Sequence, residues 1–317
     1  MSKPIHYVAT FVAGQGGALD DRALSNALLD AGVAEAGRDW LAPGLAADVF
    51  LSGERRDLDD LRERLHTAAA RAFLDVIVQP PEGRRKKLLV ADMDSTMIGQ
   101  ECVDELADLV GLRAHVAAIT ERAMRGEVAF EDALKERIGL LAGVRLDEIE
   151  TLLTRITLTP GARMLVRTMR AQGAHTALVS GGFTQFTEPV AALIGFHETR
   201  ANRLEIADGK LTGSVLAPVL GRAAKRAALE ELREAYGLSR EETLAVGDGA
   251  NDLDMLGEAG LGVAYRAKPK VAAAAHARVD FADLTALLYA QGYRREEFVE
   301  QTLSPRAGRG QGEGHGD

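Results

Sequence analysis

Hydrophobic and polar positions along the chain fall into two successive patterns. The first comprises an extended run His6–Ala13, a helical stretch Ala23–Leu29 after a Gly-rich turn, and strand-like runs Arg38–Leu41 and Asp48–Leu51. Helical spacing over Leu58–Ala70 and an apolar run Phe73–Val78 complete it. This order, βαββαβ, predicts a small α+β unit over residues 1–82. Pro80-Pro81-Glu82-Gly83-Arg84-Arg85 then has the composition of a linker. The second pattern, predicted over residues 83–303, alternates buried-strand runs (Leu88–Ala91, Thr176–Val179, Leu244–Val246, Leu261–Ala264) with helical stretches. That alternation predicts a Rossmann-like α/β fold with a parallel sheet and helices on both faces.

The gap between the first two of these strands is too long for one crossover helix. Glu101–Leu153 reads as mostly helical, so residues of about 99–155 are expected to form a helical cap inserted above the strand ends. Thr159-Pro160 before Arg163–Gln172 has the form of a helix N-cap with proline in the first turn, returning the chain to the sheet. The segment 304–317, rich in Gly and charge, is expected to be disordered.

Composition narrows the functional classes. The 317 residues carry a net charge of −9, with 46% hydrophobic and 27% charged residues, as in an ordinary globular protein. The acidic balance argues against a sequence-independent grip on nucleic-acid phosphates. The one cysteine, Cys102, excludes an intrachain disulfide and suits a reducing compartment. No apolar run reaches the ~18 residues of a membrane span, so a cytoplasmic protein without membrane or nucleic-acid partners is expected. Seven histidines show no zinc-type pairing, and Gly-x-Ser-x-Gly is absent. Gly14-Gln15-Gly16-Gly17 lacks both a full dinucleotide fingerprint and a Walker lysine.

Chemistry concentrates at three strand tips, where open α/β sheets bind ligands. Asp92-Met93-Asp94-Ser95-Thr96 sets two carboxylates two residues apart, where a turn can direct both at one small volume and so invite a shared proton or a bound cation; a helix-capping turn is the plain alternative. Ser180-Gly181-Gly182 offers a hydroxyl and open backbone N–H groups, and also suits a simple turn. Gly247-Asp248-Gly249-Ala250-Asn251-Asp252 is an oxygen-rich cluster of the kind Mg²⁺ takes, without the order of an EF-hand. Lys225, at the start of a helical stretch, is a cation where the helix dipole disfavours one.

Taken in order, these four elements resemble the haloacid-dehalogenase superfamily over roughly Lys87–Gln291. Gln100-Glu101-Cys102-Val103-Asp104-Glu105, Met124–Phe130 and Leu134-Lys135-Glu136-Arg137-Ile138 resemble its phosphoserine phosphatase branch. The resemblance implies hydrolysis of O-phospho-L-serine to L-serine and phosphate, the last step of serine biosynthesis, with Mg²⁺ as cofactor. It makes Asp92 the nucleophile, forming an aspartyl-phosphate, and Asp94 the proton donor and acceptor. It assigns Mg²⁺ to Asp92, the Asp94 main-chain carbonyl and Asp248. Ser180, Gly181, Lys225 and Asn251 would hold the phosphoryl group, with Asp252 behind Lys225 or the metal. Glu101 would take the substrate ammonium and Arg137 its carboxylate; an ordinary surface ion pair is the competing use of those two side chains. Met124 and Phe130 are candidates for an apolar wall.

The first unit resembles, in topology alone, a ferredoxin-like ACT-like domain, and serine binding, homodimer formation and plain packing all stay open for it. Two other functions fit the same residues. One is a phosphotransferase passing the group to homoserine; the other is a serine-sensing module with a vestigial site.

Overall fold

The computed structural model describes residues 5–52, 58–124 and 127–300. The expected tail 304–317 and the side chains of Met124 and Phe130 lie outside them. The first unit runs β1 (Ile5–Ala13), α1 (Asp21–Asp30), β2 (Glu35–Ala42), β3 (Ala46–Ser52), α2 (Leu58–Ala70) and β4 (Leu74–Gln79). Its four strands form an antiparallel sheet in the order β2-β3-β1-β4. Phe11, Val49, Val76 and Val78 face α1 and α2, where they pack with Leu24, Leu28, Leu61 and Leu65. Period-2 alternation sends Val12 and Ile77 to the opposite face.

That opposite face is not solvated. Val12, Leu41, Ala46 and Ile77 join the main core of the following unit, meeting Leu287, Leu288 and Tyr289. Polar contacts close the same boundary. The Asp75 carboxylate, wholly buried, accepts from the backbone N–H groups of Asp280 (2.8 Å), Phe281 (3.1 Å) and Ala282 (2.7 Å). Arg84, in the stretch expected as a linker, pairs with buried Asp48 at 2.7 and 2.8 Å and donates to the Ala290 carbonyl at 3.1 Å. The connection is therefore clamped to both units.

The second unit comprises β5 (Leu88–Ala91), α3 (Cys102–Leu109), α4 (Arg113–Met124), α5 (Phe130–Gly139), α6 (Leu146–Leu153), α7 (Ala162–Ala171) and β6 (His175–Phe183). It continues with α8 (Thr184–Ile194), β7 (Glu198–Ala207), β8 (Lys210–Leu216), α9 (Arg222–Ala235), β9 (Thr243–Gly247) and α10 (Leu253–Glu258). β10 (Leu261–Tyr265), α11 (Pro269–Ala274), β11 (Ala277–Val279) and α12 (Ala286–Ala290) complete it. The sheet order is β11-β10-β9-β5-β6-β7-β8, parallel except for β8 against β7.

Side chains of the central strands alternate between two cores. Leu89, Ala91, Leu244 and Val246 point to one, with α7, α8 and α12; Leu88, Val90 and Ala245 point to the other, with α9 and α10. β5 and β9 are fully buried, which is why they read as continuous apolar runs. The hairpin β7–β8 was not expected from the pattern. Its second strand alternates a few apolar residues with exposed Lys210, Thr212 and Ser214, a weak signal next to the buried runs.

Helices α3 to α6 occupy the insertion after β5. Where the chain leaves and re-enters the core, two extended segments pair: Gly99 N–H donates to Thr157 O and Thr159 N–H to Met97 O, each at 3.0 Å. Gln100 pins the crossing, its Oε1 accepting from Thr157 N–H at 3.0 Å. No helix among the described residues is long and apolar enough to cross a membrane.

Candidate active site

Strand β5 ends by extending its ladder one residue, Asp92 N–H donating to Val246 O at 3.0 Å, so the Asp92 side chain leaves from the sheet's carboxyl edge. The chain then turns tightly. Met97 N–H and Ile98 N–H both reach Met93 O, and Ser95 takes a left-handed φ of 53°. On the neighbouring edge, β9 delivers Gly247 and Asp248, and a 3₁₀ turn over Ala250–Asp252 brings Asp252 back beneath them. A Cβ on Gly247 would stand 2.4 Å from Asp252 Cγ, so this position requires glycine for the acid to fold in. Asn251 packs as closely over Gly249.

Lys225 lies in the first turns of α9 and is buried, with its ammonium 2.6 Å from both Asp92 Oδ1 and Asp252 Oδ1. Asp252 Oδ2 accepts from Gly249 N–H at 3.0 Å, which leaves both of its oxygens engaged. Asp92 Oδ1 also accepts from Met93 N–H at 2.8 Å, and Asp248 Oδ1 accepts from Thr96 Oγ1 at 3.1 Å. One ligand atom from each of Asp92, Asp248 and Asp252 lies within 4.8 Å of the others. Three carboxylates against one ammonium leave a local excess of two negative charges, which a divalent cation would neutralise. With Asp252 committed to Lys225 and Gly249, the donor set left to such an ion centres on Asp92 and Asp248. Hard oxygen donors of this kind fit Mg²⁺ better than a softer metal.

Electrostatics follow the crowding. Burial and then Asp252 push the Asp92 carboxyl well above its ordinary value. Burial and then Glu101 raise Asp94 to about 7; burial and then Asp252 raise Asp248 to about 6. Burial opposes charge on Lys225, but Asp252 and Asp92 outweigh it and hold the ammonium above its usual range. Asp94 Oδ1 is buried with no hydrogen-bond partner. Beside it, Ser180 is buried on β6, and its Oγ accepts from Gly182 N–H at 2.9 Å. A Cβ on Gly182 would come within 3.1 Å of Ser180 Oγ and 3.4 Å of Asp94 Oδ2, a tight fit that would press on both side chains.

The cap residues are held more loosely. Glu101, exposed, accepts from Ser95 Oγ at 2.6 Å and is felt electrostatically by both Asp94 and Asp248. Arg137 is half-buried, and burial lowers its pKa against the opposing pull of Asp104 and then Glu101. Its Nη1 donates to Thr120 Oγ1 at 3.2 Å and its Nε to Ala133 O at 3.3 Å. Glu101 and Arg137 thus share a neighbourhood without closing an ion pair. Asp104 and Thr120 were not singled out in the sequence. Asp104 lies only three residues from Glu101, the helical spacing that puts two carboxylates on one side.

Residues 89–257 match the family model of the haloacid dehalogenase-like hydrolases. The phosphoserine phosphatase of Streptomyces coelicolor is 41% identical over 85% of this chain, and that of Archaeoglobus fulgidus 43% over 68%. The matches span 66% and 63% of those two proteins' own lengths, just under two thirds. Among solved structures, a probable phosphoserine phosphatase from Vibrio cholerae superposes with a TM-score of 0.74 at 32% identity, covering 92% of this chain and 88% of that one.

Proposed function

The chain belongs to the haloacid dehalogenase-like hydrolases, and on that premise we propose that it hydrolyses O-phospho-L-serine to L-serine and phosphate, the step that ends serine biosynthesis. The observation that carries the reading is the buried cluster of Asp92, Lys225, Asp248 and Asp252 beside an unpartnered Asp94 oxygen. The phosphoserine phosphatases among the relatives favour this substrate.

In this reading an Asp92 carboxylate oxygen attacks phosphorus, the bond to the serine oxygen breaks, and an aspartyl-phosphate forms. Asp94, whose pKa of about 7 lets it carry a proton near neutrality, gives that proton to the departing serine oxygen. Water then attacks the phosphorus, Asp94 takes its proton, and the Asp92 carboxylate is restored. Lys225 opposes the rise in the Asp92 pKa and balances charge on the phosphoryl oxygens; Ser180 Oγ and Gly181 N–H hold one of those oxygens, with Asn251 supporting the site. Mg²⁺ held by Asp92, the Asp94 carbonyl and Asp248 would supply Lewis-acid stabilisation of the phosphoryl oxygens. Glu101 receives the substrate ammonium and Arg137 its carboxylate.

The same proposal takes the first unit as ACT-like, supported by its βαββαβ order and antiparallel sheet, and the setting as cytoplasmic. The test offers a panel of phosphomonoesters with and without Mg²⁺ and measures released phosphate, with Asp92→Ala as control. Phosphoserine should lead the panel, and chelation or Asp92→Ala should lower the rate by about a thousandfold or more. A metal-independent rate, or an active Asp92→Ala protein, would overturn the reading. Homoserine in the same assay should leave phosphoserine consumption unchanged.

A further inference from the structure

We infer that Asn202, in the middle of β7, is a positioning residue that aims the Ser180 hydroxyl at the phosphoryl group. The inference rests on the phosphatase reading and deepens it. Asn202 is only 1% exposed, and its side chain is fully engaged. Nδ2 donates to Gly181 O at 2.8 Å and to Leu220 O at 3.1 Å, while Oδ1 accepts from Leu220 N–H at 2.7 Å.

Leu220 therefore grips the amide through both backbone groups. It directly precedes Gly221, the N-cap of α9, so the amide is anchored to the helix that carries Lys225. The free end of the grip is the bond to Gly181 O. Peptide planarity does the rest: Gly181 O and Gly182 N–H belong to one rigid unit, so fixing the carbonyl fixes the N–H. Gly182 N–H is the donor that occupies Ser180 Oγ at 2.9 Å. With that acceptor position taken, the Ser180 proton is left to donate to an anionic oxygen. Gly181 and Gly182 have no side chains of their own to hold this plane, and Asn202 supplies what the glycines lack.

A double-mutant cycle tests this, with p-nitrophenyl phosphate as substrate and saturating Mg²⁺. Asn202→Asp keeps the shape and the acceptor for Leu220 N–H, but presents an oxygen to the Gly181 and Leu220 carbonyls. With Ser180 intact, it should lower kcat/KM by about tenfold to hundredfold. In the Ser180→Ala background the same change should fall within about threefold, because the group it acts through is gone. Equal factors in both backgrounds, the signature of a merely structural loss, would overturn the inference. Asn202→Ala runs the same cycle if the aspartate variant fails to fold, with melting temperature recorded for every protein. A parent that cleaves p-nitrophenyl phosphate but not phosphoserine defeats the substrate reading alone. A parent that cleaves neither defeats both.

Discussion

The strand-end cluster and the cap present charged groups in opposite ways. At the strand ends, Asp92, Lys225 and Asp252 are buried, lie 2.6 Å apart in a chain of contacts, and are fixed by backbone that leaves them little choice. In the cap, Glu101 is exposed, Arg137 half-buried, and each is held by a neighbouring hydroxyl rather than by the other. On the proposed function the difference separates two tasks. A group that must meet a phosphoryl centre gains from being locked before substrate arrives, since desolvated charges interact strongly and rearrangement then lowers the rate. A group that recognises the ends of a small zwitterion needs only to be within reach when the ligand supplies the missing partner.

Removing one charge from each region should expose the contrast most sharply. Asp252→Asn leaves Lys225 with Asp92 as its remaining carboxylate partner, and breaking one limb of a buried pair of this kind costs about 3–5 kcal/mol. Activity should fall about a hundredfold as the lysine and the turn at Gly249 lose their anchor. Asp104→Asn in the cap should change stability by less than about 0.5 kcal/mol. Urea unfolding of the two variants against the parent checks this; similar losses for both would erase the distinction between a locked centre and a loose rim.

Legibility in the sequence followed the same division. β5 and β9 were readable because strands buried on both faces appear as unbroken apolar runs, and their tips announced where Asp92 and Asp248 stand. The βαββαβ order of the first unit was readable from period-2 and period-3.6 spacing. What the sequence hid depends on contacts between distant segments. β8 lies at the sheet's edge with half its residues in solvent, so it carries little hydrophobic signal. Arg84 looked like part of a solvated linker because nothing near it in sequence shows that Asp48 and Ala290 will close on it. Asn202 sits among ordinary β-hairpin residues, and its role depends on Gly181 and Leu220, 21 and 18 positions away.

The cap side of the contrast is sharpened by Arg137→Ala. If the guanidinium meets only the amino-acid end of the substrate, kcat/KM for phosphoserine should drop by about tenfold to hundredfold, the value of one charge-assisted fork. Hydrolysis of p-nitrophenyl phosphate, which has no carboxylate, should stay within about twofold. Equal loss on both substrates would move Arg137 from recognition to the chemical centre or to general packing.

The smallest effect should appear in the protein without metal. Asp94 and Asp248 have folded-state values of about 7 and about 6, both above the 3.8 of an unperturbed aspartate. Between about pH 4 and 7 the folded chain then holds more protons than the unfolded one, so stability falls as pH rises through that window. The metal-free melting temperature should accordingly drop between pH 5 and pH 8, by about 2–4 °C for each kcal/mol lost. Millimolar Mg²⁺ should restore the loss at pH 8 and do little at pH 5, because a cation binds the ionised carboxylates and competes with protons for them. In the Asp248→Asn protein both the pH slope and the Mg²⁺ response should shrink together. A metal-free melting curve that rises from pH 5 to pH 8, or a Mg²⁺ response of equal size at the two values, would mean that the strand-end carboxylates are not the crowded, charge-hungry group that sets them apart from the cap.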